Sequence, residues 1–101
     1  QLDCSPAPIH CVQEVREAVG DDAELIVDGG IRRGTDVLKA IALGANAVSF
    51  ARPYLYGLAA FGTKGAVQAI RQIRDAVERD MILTGVGALD QLDDSFIRNV
   101  N

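Results

Sequence analysis

Apolar residues recur at helical spacing in three segments, about residues 8–19, 34–43 and 65–83. Proline or glycine residues mark most of the boundaries of these segments. The apolar positions are Ile9, Val12, Val15 and Val19, then Val37, Leu38, Ile41 and Ala42, then Val67, Ile70, Ile73, Val77 and Met81. Because these positions lie three and four apart, they predict three amphipathic helices, the second capped by Gly34 or Thr35.

Two short, continuously apolar runs separate the helical segments. Residues 25–27 (Leu-Ile-Val) precede Asp28, and residues 47–50 (Ala-Val-Ser-Phe) precede a loop at Ala51. Such runs are typical of strands buried on both faces of a parallel sheet. A further apolar segment, residues 54–60, is predicted to form a short extra helix. The alternation of helices and strands predicts an α/β fold with parallel strands and helical crossovers.

The composition and charge argue against several kinds of partner. Of the 101 residues, 49% are hydrophobic and 24% are charged, as in ordinary globular proteins, and the net charge is −4. No basic block could follow a nucleic-acid backbone, and no apolar run approaches the ~18 residues of a membrane span. The first residues lack a signal-peptide pattern, so we expect a cytoplasmic protein with Cys4 and Cys11 reduced. Beside them only His10 offers a nitrogen ligand, and no metal site is expected.

The first loop that carries chemistry follows the first strand. Residues 28–34 read Asp-Gly-Gly-Ile-Arg-Arg-Gly and lead directly into a helix. Adjacent glycines let backbone N–H groups turn toward an anion, and a helix N-terminus adds unpaired N–H groups. Arg32 and Arg33 add positive charge that suits phosphate. Taken alone, the run is also compatible with a glycine turn that carries two arginines facing solvent.

A second loop, Ala51-Arg52-Pro53, stands at the end of the next strand and again places an arginine there. In (β/α)₈ barrels, phosphate groups bind between the loops after strands seven and eight and a short extra helix. The two loops together therefore predict a phosphate site. Asp28, at the end of the first strand, is expected either to bind a ligand hydroxyl or to neutralise Arg32.

The predicted elements are too few to make a complete domain. Two parallel strands need neighbours on both sides before they form a stable sheet. We therefore expect residues 1–101 to be an incomplete domain, the C-terminal part of a (β/α)₈ barrel that supplies strands seven and eight with their helices.

The run from Asp28 through Gly-Gly-Ile-Arg-Arg-Gly-Thr-Asp, with the later Ala-Arg-Pro-Tyr-Leu-Tyr-Gly-Leu, resembles the FMN-dependent 2-hydroxy-acid oxidases and dehydrogenases. This family includes glycolate oxidase, lactate oxidase, mandelate dehydrogenase and the flavocytochrome lactate dehydrogenases. The opening Gln-Leu-Asp and the closing residues 85–97 are also similar to that family. The resemblance covers essentially the whole chain. It implies an oxidoreductase that oxidises (S)-2-hydroxy acids to 2-oxo acids with FMN as its cofactor.

Carried over residue by residue, the resemblance implies FMN phosphate contacts in both loops. After strand seven they are Asp28, Gly29, Gly30, Ile31 and Arg32, and after strand eight they are Ala51 and Arg52. The family usually has glycine where Ala51 stands, which implies weakened binding at most. No catalytic residue is expected in this chain, because the family's His base and substrate-binding Arg lie in a His-Gly-x-Arg run just before Gln1, and His10 does not fit that motif.

The resemblance also implies partners. They are the remainder of the same barrel and a small 2-hydroxy acid, with a homo-oligomer expected for the complete enzyme, whereas this chain alone is expected to be inactive. Two alternatives stay open. The chain could belong to another phosphate-binding barrel enzyme, or it could be a non-catalytic partial barrel that assembles through exposed strand edges.

Overall fold

The computed structural model describes residues 2–98 and places helices and strands in alternation. The elements are α1 (Pro8–Val19), β1 (Ile26–Asp28), α2 (Gly34–Ala42), β2 (Ala47–Ser49) and α3 (Arg52–Thr84), followed by 3₁₀ turns at Leu89–Gln91 and Asp94–Phe96. The predicted α/β alternation is confirmed. None of the helices in this described part of the chain is long and apolar enough to cross a membrane.

The two strands pair in parallel, with Ile26 opposite Ala47 and Val27 opposite Val48. Successive side chains of a strand point to opposite faces of a sheet. Val27 is buried and packs in a cluster with Val12 of α1 and Ala40 of α2, whereas Ile26 is 58% exposed. The strands were expected to be buried on both faces. In this chain only the face that bears Val27 is covered, since α1 and α2 pack against that face.

Arg16 ties together the edge of the sheet at which both strands begin. Its Nε donates to the Gly44 carbonyl at 2.8 Å, and its terminal nitrogens donate to the carbonyls of Gly20 and Ala23 and to Asn46 Oδ1. The same Asn46 oxygen accepts the N–H of Leu25 at 2.7 Å. One guanidinium therefore joins α1, the turn before β1 and the turn before β2, a role that the sequence pattern did not indicate.

The N-terminus of α2 differs from the prediction in its cap. Arg33, not Gly34 or Thr35, is the residue with extended backbone before the first turn, and the Asp36 carboxylate accepts hydrogen bonds there. Gly34 is instead required by packing. A Cβ at this position would lie 2.5 Å from the backbone carbonyl carbon of Ala76, so only glycine lets α2 approach α3 this closely.

Helix α3 contains a sharp break. Phe61 and Gly62 have non-helical backbone angles, and Gly62 has a φ of 61°. We call residues 52–60 the first arm and residues 63–84 the second arm. A Cβ at Gly57 would overlap the backbone of Gly65, and a Cβ at Gly65 would overlap that of Gly57. Because residues eight apart in a straight helix stand about 12 Å apart, the two arms must fold back on each other. The predicted short extra helix is therefore present as the first arm.

The buried face of the second arm only partly follows the predicted apolar stripe. Ile73 is buried and packs against Ile31 and Val37, whereas Val67 and Ile70 are 42% and 49% exposed. The closest approaches of this arm to its neighbours fall instead on Gly65, which meets the backbone of Gly57, and on the backbone of Ala76, which meets Gly34.

Candidate functional site

The seven residues that the sequence singled out meet in one cleft. The cleft has a volume of about 610 Å³ and lies where β1 and β2 end and α3 begins. Its lining contains all seven of them, namely Asp28, Gly29, Gly30, Ile31, Arg32, Ala51 and Arg52. The structure thus brings the two predicted loops together, and cofactor contact by these residues stays a prediction.

Gly29 and Gly30 give the first loop an exposed backbone. Their φ angles are 102° and 82°, in the region that side-chain-bearing residues rarely adopt. A Cβ on Gly30 would meet nothing within 4 Å, so the loop surface there is open. The backbone N–H groups of Gly30 and Ile31 have no hydrogen-bond partner within residues 2–98. They are therefore available to an acceptor in the cleft.

Ile31 connects the loop to the helices behind it. The residue is 4% exposed, and its side chain packs with Val37 of α2 and Ile73 of the second arm. The burial anchors the loop to the helices behind it and leaves the backbone of the loop for the cleft. The predicted contact at this position is accordingly a main-chain one.

Two N–H groups just before α2 are held by a carboxylate. Asp36 Oδ2 accepts the backbone N–H of Arg32 and of Arg33, each at 3.0 Å. Both residues precede the first turn of α2, so the expected contribution of unpaired N–H groups from the helix itself stays a prediction. Any contact of Arg32 with an anion must then come from its side chain.

The N-terminus of α3 offers the contrasting case. This helix begins at Arg52, no side chain caps it, and its first turn carries no acidic residue. Ala51 precedes it with φ −123° and ψ −56°, a backbone that needs no glycine. Pro53 stands in the first turn and lacks an N–H. The positive end of the helix dipole and the remaining N–H groups therefore lie at the cleft, where they favour an anion.

Three arginines lie around the two loops. Arg32 and Arg52 line the cleft, and their side chains make no ion pair or hydrogen bond within the described part of the chain. A second pocket of about 390 Å³, between α2 and the second arm, is lined by Arg33 and also by Arg32. The carboxylate of Asp28 forms no ion pair with Arg32 within residues 2–98, and its contact with a ligand hydroxyl stays a prediction.

Three further residues line the cleft, namely Phe50, Pro53 and Tyr56. Tyr56 is 69% exposed, and the sequence reasoning did not single it out as a cleft residue. Its position four residues after Arg52 could have revealed this, because residues four apart share one face of a helix. His10 is exposed on α1 and does not line the cleft, which agrees with its expected place outside the site.

Comparison with known proteins shows which family the chain is similar to. The family model for FMN-dependent dehydrogenases matches residues 1–99. A peroxisomal (S)-2-hydroxyacid oxidase from Arabidopsis thaliana is 44% identical over the whole chain, and an L-lactate dehydrogenase (cytochrome) from Wickerhamomyces anomalus is 41% identical over 91% of it. A crystal structure of an active mutant of (S)-mandelate dehydrogenase superposes on 99% of the chain with a TM-score of 0.92 and 33% identity.

The matched region is a minor part of each relative. The chain spans 28% of the length of the Arabidopsis oxidase, 17% of the Wickerhamomyces dehydrogenase and 28% of the mandelate dehydrogenase.

Proposed function

Because this chain belongs to the family of FMN-dependent dehydrogenases, we propose that its cleft binds the phosphate of FMN in an (S)-2-hydroxy-acid oxidase or dehydrogenase. The observation that carries the proposal is the meeting of two strand-end loops at the uncapped start of α3. Within the cleft, Arg32 and Arg52 supply the charge, and Gly30 and Ile31 supply main-chain donors. These groups complement a phosphate dianion better than any neutral ligand.

The cleft also fits the dimensions and polarity of the cofactor. Its volume of about 610 Å³ is within the range of sites that hold cofactor-sized ligands. Asp28 stands at the end of β1, where its carboxylate can accept a hydrogen bond from a hydroxyl group of the cofactor. The ring of Tyr56 adds an apolar wall on the α3 side.

The uncovered face of the sheet supports the assignment of the strands. Ile26, Asp28, Ala47 and Ser49 share this face and are largely exposed. In a (β/α)₈ barrel, one face of each strand meets the outer helices and the other points into the packed barrel interior. We therefore propose that β1 and β2 are strands seven and eight, that residues 1–101 are the C-terminal portion of the barrel domain, and that the remainder of the barrel covers this face.

FMN held at this cleft in the complete enzyme would supply the two-electron acceptor for oxidation of a 2-hydroxy acid to a 2-oxo acid. The residues of this chain hold the cofactor's phosphate and thereby fix where its reactive ring lies relative to the other strands. The base that removes the substrate proton belongs to the part of the protein outside these residues. We further propose a homo-oligomeric, cytoplasmic enzyme, in keeping with free thiols at Cys4 and Cys11.

The proposal is tested with the complete protein that contains this chain. Its apoprotein should bind FMN more tightly than riboflavin, and an (S)-2-hydroxy acid such as lactate, glycolate or mandelate should bleach the visible absorbance of the bound flavin without air. A chain of residues 1–101 alone should show no turnover above free flavin. Binding of other phosphate compounds but not FMN would instead indicate a different barrel enzyme, and absence of any ligand binding would indicate an assembly unit.

A further inference from the structure

Asp36 lies where the phosphate-facing loop passes into α2. Its Oδ2 accepts the N–H groups of two consecutive residues, Arg32 and Arg33, at 3.0 Å each. Its own N–H donates to the carbonyl of Arg33 at 3.2 Å. Three hydrogen bonds therefore fasten the last two residues of the loop to the first turn of the helix.

The rest of the loop has few other restraints on its conformation. Gly29 and Gly30 have no side chains to pack, and glycine has more backbone freedom than any other residue. On the helix side, the buried side chain of Ile31 and the close packing of Gly34 fix two points. Between these points, the N–H groups of Arg32 and Arg33 have Asp36 as their hydrogen-bond acceptor within residues 2–98, and this fixes the backbone from which the Arg32 side chain extends.

The role of Asp36 is testable, because its negative charge and its hydrogen bonds should affect anion binding in opposite directions. A carboxylate beside an anion site weakens anion binding through repulsion, so removal of the charge alone should tighten binding. Loss of the acceptor, by contrast, lets the Arg32 and Arg33 peptides adopt other conformations. The binding groups of the loop are then held less precisely, which should weaken anion binding. An amide at position 36 separates the two effects, since its oxygen accepts hydrogen bonds without carrying charge.

We propose that Asp36 is a positioning residue for the phosphate of FMN, acting through the amides of Arg32 and Arg33 and without touching the cofactor. This inference rests on the function proposed above. It gives the Asp of the Arg-Arg-Gly-Thr-Asp run a role in cofactor affinity in addition to its capping of α2.

The test compares binding of FMN and riboflavin to the apoprotein of the complete enzyme, measured by flavin fluorescence. Riboflavin lacks the phosphate, so the ratio of the two affinities isolates the phosphate contribution. Asp36→Ala should weaken FMN binding roughly tenfold and leave riboflavin binding unchanged, because the Arg32 and Arg33 amides lose the acceptor that holds the loop in its binding geometry. Asp36→Asn should stay within about threefold of the wild type, because the amide oxygen retains the acceptor.

Two additional variants keep the test decisive. Asp36→Ser keeps a small polar side chain in the first turn of α2 but is too short to hold both amides, so it should fold and still lose phosphate selectivity. Asp75→Ala, an exposed acidic residue of the second arm, is the matched control and should change neither affinity.

Two results overturn the inference. They are an unchanged or tighter FMN affinity in both Asp36→Ala and Asp36→Ser, or an equal loss for FMN and riboflavin, which would indicate a purely structural role. Arg52→Ala distinguishes this failure from failure of the proposed function. If Arg52→Ala lowers the ratio and the Asp36 variants do not, only the inference fails. If the wild type does not prefer FMN over riboflavin, the proposed function fails with it.

Discussion

The two edges of the short sheet use arginine in opposite ways. At the edge where the strands begin, Arg16 donates four hydrogen bonds to protein acceptors and is fully engaged. At the edge where the strands end, the side chains of Arg32 and Arg52 make no hydrogen bond or ion pair within residues 2–98, and both residues line a cleft with open main-chain donors. Because arginine is present at both edges, residue type alone does not determine its role. The difference indicates that one edge holds the fold together and the other is built to meet a ligand.

The largest effect is expected at the engaged edge. Arg16→Ala removes four hydrogen bonds and leaves the Gly44 carbonyl without its donor, while Asn46 Oδ1 keeps only the N–H of Leu25 among the described residues. We expect the free energy of unfolding of the complete protein to fall by about 2–4 kcal/mol, measured by urea denaturation. The ratio of FMN to riboflavin affinity should stay the same. Arg71→Ala, on the exposed side of α3, is the control and should lower the free energy of unfolding by less than ~0.5 kcal/mol. Equal losses in Arg71→Ala and Arg16→Ala would show that Arg16 has no special role in stability.

At the ligand edge, Arg52→Ala should leave the free energy of unfolding nearly unchanged and weaken FMN binding. Loss of one charge-assisted contact to phosphate should cost roughly 1.5–3 kcal/mol, or about ten- to a hundredfold in affinity. Arg33→Ala should have a smaller effect, because Arg33 lines the pocket behind the loop. Equal losses in a fluorescence titration would mean that both arginines share the phosphate. A larger loss for Arg33→Ala would contradict the assigned register of the loop.

Gly34 belongs to the same motif as the ligand-edge glycines but should behave like a residue of the fold. Gly34→Ala places a Cβ against the backbone of Ala76 and Val77, so we expect destabilisation of about 1–3 kcal/mol in thermal or urea unfolding. Gly87→Ala is the matched control, since its nearest neighbour would be the Gln91 side chain at 3.6 Å. Wild-type stability in Gly34→Ala would show that α2 can move away from α3 at little cost.

The smallest effect is expected at Ala51. The family usually has glycine at this position, yet the Ala51 backbone has a negative φ that alanine adopts without strain. Ala51→Gly should therefore change FMN affinity by less than about threefold, within ~0.6 kcal/mol. A tenfold gain in affinity would mean that the Cβ of Ala51 crowds the phosphate.

Much of this arrangement was predictable from the sequence, for identifiable reasons. The strand ends and the glycine pair are local signals, and parallel pairing follows from α/β alternation, so the cleft residues were found together. Arg16 was missed because its partners are 4 to 30 residues away and are mostly backbone carbonyls, which carry no sequence signal. Asp36 was missed because an acidic residue in a first turn is expected whether or not it holds a neighbouring loop.

The Gly57–Gly65 crossing has a consequence for how this segment tolerates insertions and deletions. The crossing fixes both the position of the first arm along its helix axis and its rotation about that axis. Arg52 lies five residues before Gly57. One residue added between them would turn Arg52 by about 100° around the helix axis and shift it by roughly 1.5 Å. An addition at the bend around Phe61 would change neither. The length of the chain from Arg52 to Gly57 is therefore a fixed quantity in this protein, whereas the bend is a place where length can vary.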